Sequence, residues 1–463
     1  MSEDFNSNID RVSLDGNMEN RFIGQGTTIQ TAVDPEAAAS VKTYVHRAMG
    51  SMESKRVLFI NTVVGPGNSV GRLTEGLYRT LTDHGYDCMV AYGRGDCPAD
   101  IRSYRIDEKS DIYFHGLMTR LTDRHGFYSR SATLDLIDQI EAFDPDIIHL
   151  HNIHGYYLHV GILFDYLKKS GRRIIWTLHD CWSFTGHCAH FEYVGCTKWQ
   201  SGCQNCEQLS EYPRSVRDNS EKNYRQKREL FTGLPDMTLV VPSEWLRQRV
   251  LQSFLREYHT VVVPTGIDLS RFSPVMEERR EDNIIFRLKN KYALRGKRIL
   301  LGVANPWRDR KGLTQFLNLN KIISDKYVIV LVGLTKAQIE ALPASIIGLP
   351  KTDSLEELAA YYSLADVYVN LTLEDTFPTT NLEALACGTP VVTYKTGGSP
   401  ESLNESCGIV VEKNSVQGIV AALDRIEQFG QEQYTMEQCV RQAMQYDKGL
   451  RFIEYIEEVY EGI

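Results

Sequence analysis

DVYVNLTLEDTFPTTNLEALACGTPVVTYKTGGSPE, residues Asp366–Glu401, decides how this chain folds. Asp366-Val367-Tyr368-Val369 and Pro390-Val391-Val392-Thr393 are short, β-branched and apolar, as in strands buried on both faces of a parallel sheet. Leu382–Ala386 between them reads as the start of a helix. Strand, loop and helix feeding a second strand is one step of a doubly wound α/β layer. The loop carries Glu374, Asp375, Thr379 and Thr380. A helix beginning at Thr380 turns its free N–H groups and the positive end of its dipole toward that loop, a ready anion site for a diphosphate. Carboxylates beside it suit the hydroxyls of a sugar or ribose, which donate charge-assisted hydrogen bonds. Thr380-x-x-Glu383 is also the pattern of a capping box, which needs no ligand.

The same alternation runs outward in both directions. Arg56–Ile60, Asp87–Tyr92, Asp146–Leu150, Arg173–Thr177 and Met237–Val241 read as strands, with helices at Arg72–His84 and Tyr156–Lys169. The pattern restarts after Asp268-Leu269-Ser270-Arg271-Phe272, with strands at Arg298–Val303 and Val328–Leu331 before the opening stretch. Two Rossmann-like halves are therefore expected, joined near residues 260–270. Ligands of such sheets lie beyond the carboxyl ends of the strands, so two facing sheets make a cleft. Gly449–Tyr460 is an amphipathic helix with Phe452, Ile453, Ile456 and Val459 on one side.

At 463 residues the chain has room for two domains, and 42% hydrophobic with 24% charged residues is ordinary for a globular protein. A net charge of -9 argues against a general nucleic-acid binder. No run of 18 apolar residues and no signal-peptide layout is present, so a cytoplasmic protein is expected. Ten cysteines are then read as a local metal site rather than a disulfide framework. Residues 1–54 read as a poorly ordered extension, and Met49-Gly50-Ser51-Met52 looks like a cloning junction that would make the first 51 residues vector-derived.

Asp375-x7-Glu383, with Ala384–Val392 and Gly397-Gly398-Ser399-Pro400-Glu401 behind it, resembles the acidic-x7-Glu signature of glycosyltransferase family 4. The resemblance runs from about Arg56 to Tyr460. It is nearest the bacterial exopolysaccharide enzymes of the colanic-acid type, judged by Asp146–Tyr157, Thr177–Cys188 and Glu374–Val392. It implies the GT-B architecture and a hexosyltransferase that retains anomeric configuration. The donor would be a nucleoside-diphosphate sugar. The acceptor would be a saccharide or lipid-linked saccharide in glycan synthesis. It also implies that Asp375 meets the donor sugar, with Glu374 adjacent and able to substitute, and that Glu383 meets the ribose.

Gly302–Gly312 matches the strand, loop and Lys-Gly element of the family. An Arg and a Lys there clamp the diphosphate, because the leaving group gains charge as the glycosidic bond breaks. Lys311 fits. The usual Arg position falls on Pro306, leaving the role to Arg308 or Arg310. No Asp-x-Asp element ends a strand, so no catalytic divalent ion is expected. Gly65–Arg72 resembles the loop that closes over donor and acceptor, with Gly71 as its closest approach. His149 and His151 share one face of a strand. His151 is the histidine expected near the donor sugar, and His154 is second. His179 and Asp180, after the next strand, are placed on the acceptor side.

Cys188, Cys196, Cys203 and Cys206 have spacing that suits structural Zn²⁺, with Cys181, His187 and His190 as alternative ligands. The insert 181–207 is aromatic and glycine-rich and would depend on that ion to fold. Asp111–Arg130 interleaves Arg120, Arg124, His125 and Arg130 with Tyr113, Phe114, Leu117, Met118, Phe127 and Tyr128. That stretch suits peripheral contact with a membrane, or equally a solvated helix face. The expected organisation is an acceptor-side domain over 55–263, a donor domain over 264–447, and a terminal helix over 448–463 that packs back on the first domain. A nicotinamide oxidoreductase is disfavoured by the missing G-x-G-x-x-G fingerprint. A non-catalytic sugar-nucleotide module is disfavoured by Lys311 and Glu383. An epimerase or a phosphorylase of the same fold is the nearest rival.

Overall fold

The short apolar runs become central strands because their side chains are covered from both faces. In a computed structural model, Val57, Leu58, Phe59 and Ile60 of β1 (Arg56–Asn61) are wholly buried. The structure describes residues 54–462 apart from Pro66, Asp107, 279–282, Ala293, Arg295 and Gln431. The expected extension, apart from Ser54, and the expected cloning junction lie outside the described residues.

The first sheet contains β1, β2 (Asp87–Tyr92), β3 (Ser103–Arg105), β4 (Ile147–Leu150), β5 (Arg173–Thr177), β6 (Met237–Val241) and β7 (His259–Val262). Their order is β3-β2-β1-β4-β5-β6-β7, and every pairing is parallel. The second sheet contains β8 (Arg298–Val303), β9 (Tyr327–Val332), β10 (Ile346–Leu349), β11 (Val367–Asn370), β12 (Val391–Tyr394) and β13 (Gly408–Val411). It runs β10-β9-β8-β11-β12-β13, again all parallel. Strand order reverses between β1 and β4 in one sheet and between β8 and β11 in the other. Both switch points open toward a common cleft, where this topology places ligands.

Six helices flank the cleft, fasten the halves or cover the surface of the first half. They are α1 (Ser69–Asp83), α2 (Lys109–Thr122), α3 (Glu244–Leu251), α4 (Leu313–Asn320), α5 (Thr379–Ala386) and α6 (Lys448–Glu454). The strand and helix pattern holds with local corrections. β3, β7, β10 and β13, short strands of three or four residues at the sheet edges, are absent from the sequence reading. The helix expected from Tyr156 begins at Val160, where the His159 side chain accepts from the Ile162 N–H.

The terminal segment packs on the first half, with a roll different from the sequence reading. After α6 it continues as a π-helix, Tyr455–Glu461. The wider turn brings Tyr455 and Tyr460 inward beside Phe452, Ile456 and Val459, in one cluster with Val57, Phe59 and Leu77. Ile453, expected on the buried side, is exposed. His149 fastens this return: its ring nitrogens lie 2.6 Å from the Tyr460 hydroxyl and 2.7 Å from Thr177 Oγ1.

Candidate active site

A cleft of about 390 Å³ lies where the two switch points face each other. Ser69, Val70 and Leu73 of α1, with His179, His190, Pro242 and Thr265, wall it from the first half. Asn305, Trp307, Arg310, Lys311, Glu374, Asp375, Thr376, Phe377, Thr379 and Thr380 wall it from the second.

The loop between β11 and α5 is held on every side. Arg310 O accepts from the Leu373 N–H at 2.8 Å. Thr376 Oγ1 donates to His179 O at 2.9 Å, and Ser243 Oγ donates to Thr376 O at 2.8 Å, so this loop of the second half is tied to the first. Gly397 has φ of 53° and lies so close to the Asp375 carbonyl that a side chain would collide with it. Here glycine is required both by the left-handed backbone and by the close approach.

α5 starts one residue earlier than expected, at Thr379, with Pro378 in the cap position and no side-chain cap bond. The capping box is therefore not formed. Glu383 instead accepts from the Tyr362 hydroxyl at 2.8 Å. Thr379 and Thr380 stand at the positive end of the helix, on the cleft wall. Asn381, behind them, bonds Asn370 at 2.8 Å, Ser399 Oγ at 3.1 Å and Ser402 Oγ at 2.9 Å, which locks α5 to β11 and the following turn.

Lys311 Nζ lies 2.6 Å from Asp375 Oδ2, and Arg310 lies 3.6 Å from Glu374 Oε1. Burial works to raise the Asp375 carboxyl, but the charge and hydrogen bond of Lys311, with His190 and Arg310 beside it, hold it below its ordinary value. Glu383 is shifted the other way. Burial pushes its carboxyl up, and neither the Tyr362 hydroxyl nor the charge of Arg72 offsets it. Glu383 sits behind the wall rather than on it.

The sequence candidates separate by position. Arg310 and Lys311 reach the cleft, whereas Arg308 turns to Glu211 at 3.3 Å across the halves. Gly71 is not on the wall. A Cβ there would stand 2.6 Å from Gly65 O, so its crowding comes from its own loop. His151 is buried beneath His179, with ring nitrogens 3.1 Å apart, and His179 is the one that meets the cleft. Burial pushes His179 down to about 4 and holds His151 well below the ordinary histidine value, so both are neutral near pH 7. His154 lies 3.0 Å from Asp180 Oδ2 and 3.1 Å from the Tyr212 hydroxyl, behind the cleft.

The cysteine-rich insert reaches the cleft from the first half. Among the described residues no group of three or more His, Cys, Asp or Glu side chains is arranged to hold a metal ion. Cys188, Cys203 and Cys206 nevertheless lie within electrostatic reach of one another, and Cys196 within reach of Cys203. Cys188 and Cys206 hydrogen-bond each other, and Cys203 Sγ accepts from the Gly186 N–H at 3.2 Å. The insert has an aromatic core: Phe191 stacks on Trp199 at 4.7 Å, and Phe184 packs on Trp199 at 5.5 Å. The Tyr193 N–H donates to Glu374 Oε2 at 2.9 Å. His190, expected only as an alternative metal ligand, faces Glu374, Asp375 and Arg310. Its proximity to Cys188 in sequence hid that placement.

Known proteins share this arrangement. Residues 70–271 match the model described as Glycosyltransferase Family 4, and residues 285–443 match that of Glycosyl transferases group 1. WcaC of Escherichia coli, described as a colanic acid biosynthesis glycosyl transferase, is 25% identical over 60% of this chain and 66% of its own. A GDP-mannose-dependent phosphatidylinositol monomannoside mannosyltransferase of Mycolicibacterium smegmatis is 28% identical over 39% of this chain and 50% of its own. The matches thus span half to two thirds of these relatives. An Anabaena protein, HepE, crystallised with UDP, superposes with a TM-score of 0.60 at 12% identity, covering 88% of this chain and 100% of that one. A Rickettsia africae glycosyltransferase superposes with a TM-score of 0.60 at 15% identity, covering 89% and 99%. Two facing parallel sheets, a cleft at both switch points and the paired family matches place this chain in the GT-B glycosyltransferases of the family 4 type.

Proposed function

We propose that the protein transfers a hexose, with retention, from a nucleoside-diphosphate sugar to a saccharide or lipid-linked saccharide in glycan synthesis. The observation that carries this is the convergence of Arg310, Lys311 and the uncapped start of α5 on one cleft wall, with Asp375 and Glu374 among them. Two cations and a helix N-terminus are suited to the charge that develops on a departing diphosphate. Lys311 neutralises that charge, and Asp375, which it holds ionised, accepts from sugar hydroxyls. The same cations supply the neutralisation that a divalent ion gives elsewhere, which supports transfer without one. UDP and UDP-glucose in HepE, and GDP-mannose in the mycobacterial relative's name, make uridine and guanosine donors the first to test.

Peripheral membrane contact on the cytoplasmic side fits α2, where Tyr113 is 78%, Phe114 57% and Leu117 56% exposed, with the arginines 120, 214 and 217 exposed nearby. Exposed aromatic and basic side chains on one helix suit an anionic lipid surface. Among the described residues no helix is long and apolar enough to cross a membrane.

Calorimetric titration of UDP, GDP and their glucose and mannose conjugates, followed by transfer assays with and without EDTA, tests the reading. Binding of one nucleoside diphosphate and EDTA-resistant transfer are expected. Binding of a nicotinamide dinucleotide with none of these donors would sink it.

A further inference from the structure

We propose that the cysteine-rich insert is the closing wall of the donor site, and that His190, carried on it, contacts the transferred sugar and helps set which sugar is accepted. This rests on the glycosyltransferase reading above.

Residues 181–207 belong in sequence to the first half, yet they reach the donor residues of the second. Three bonds hold the segment around His190 against movement. Gln208 Nε2 donates to His190 O at 2.7 Å, the Cys181 N–H donates to Ala189 O at 2.8 Å, and Lys413 Nζ of the donor half donates to Glu192 O at 2.8 Å. Next to it Phe191 is stacked on Trp199 and buried. His190 is thus presented to the cleft by a rigid support rather than by a loose loop.

The carboxylates opposite are not equally available. Glu374 is 3% exposed, with one oxygen accepting from the Tyr193 N–H and the other beside Arg310. It serves as the latch between insert and donor loop. The groups of the acidic loop and the insert that remain to meet a sugar are Asp375 and His190. A carboxylate only accepts, whereas a neutral imidazole carries one donor and one acceptor nitrogen. The pair can therefore bind two hydroxyls of fixed configuration. A site built to hydrogen-bond a hydroxyl discriminates strongly against an isomer that places it elsewhere, since its own polar groups are then left unpaired. Nothing in the acidic-x7-Glu pattern supplies this donor.

The test compares full-length wild type, His190→Ala and His190→Gln, each checked by thermal melting. Affinities for UDP and GDP are measured first, then kcat/KM for UDP-glucose, UDP-galactose and GDP-mannose. Nucleoside diphosphate affinity should stay within about twofold, while kcat/KM for the preferred sugar falls roughly 50-fold in His190→Ala and its preference over the isomeric sugar narrows about tenfold. His190→Gln, which keeps an N–H donor, should recover part of both and carries the test if the alanine variant does not fold. Unchanged selectivity, or an equal loss of bare nucleotide and sugar-nucleotide affinity, would overturn the proposal. A wild type that binds no nucleotide would instead overturn the glycosyltransferase reading.

Discussion

Lys311 and Glu383 make opposite electrostatic demands on one small site. Lys311 is matched to Asp375 at 2.6 Å, and on the proposed reading it exchanges that partner for a diphosphate. Lys311→Ala should lower kcat about 10²–10³-fold with a melting temperature within a few degrees of wild type, as measured by steady-state kinetics and calorimetry. Glu383 is buried, and its carboxyl is raised above the ordinary value. A raised carboxyl means that the folded state holds the proton more tightly than the unfolded chain. Its contribution is therefore fully present at low pH and lost as pH rises through the folded value. Glu383→Gln keeps an oxygen for the Tyr362 hydroxyl and removes the buried charge. Its melting temperature at pH 8 should equal or exceed that of wild type, with the gap closing toward pH 4. A clear loss of stability at pH 8 would show that the charge itself is held by an attractive partner.

Helices position the site by how closely they can approach. α1, whose first turn faces the cleft, is crossed by α6 at Gly76, where an added methyl would collide with the Phe452 ring. Gly76→Ala should cost about 1–3 kcal/mol in chemical denaturation through overpacking, although alanine is the better helix former. An unchanged midpoint would show that α6 yields readily. The donor loop has the same character, since Gly397 and Gly398 press against Asp375 O and Thr376 O. The glycines were legible in the family-like signature. Their partners were not, because those partners depend on which carbonyl the fold brings near.

The two halves are bound through Glu401, whose oxygens accept from the N–H groups of Glu244 and Trp245 at the start of α3, at 2.7 and 2.8 Å. A carboxylate from one half thus caps a helix of the other, which the dipole favours. Glu401→Ala should leave each half folded but loosen their closure. The expected result is a five- to twentyfold rise in donor KM with a smaller change in kcat, about 1–2 kcal/mol of lost capping. An unchanged KM would mean that closure does not depend on this cap.

Local composition and spacing were enough to establish two parallel α/β halves and the strand–loop–helix carrying Asp375 and Glu383, because burial periodicity and backbone chemistry act over neighbouring residues. What only the tertiary structure decided is which side chains meet across the cleft: Arg310 rather than Arg308, His179 above His151, the aromatic core of the insert, and His190 opposite Asp375. Those pairings lie up to about two hundred residues apart in the chain. They are set by how the sheets face and by which groups burial leaves for one another, and neither is encoded in any single stretch of sequence.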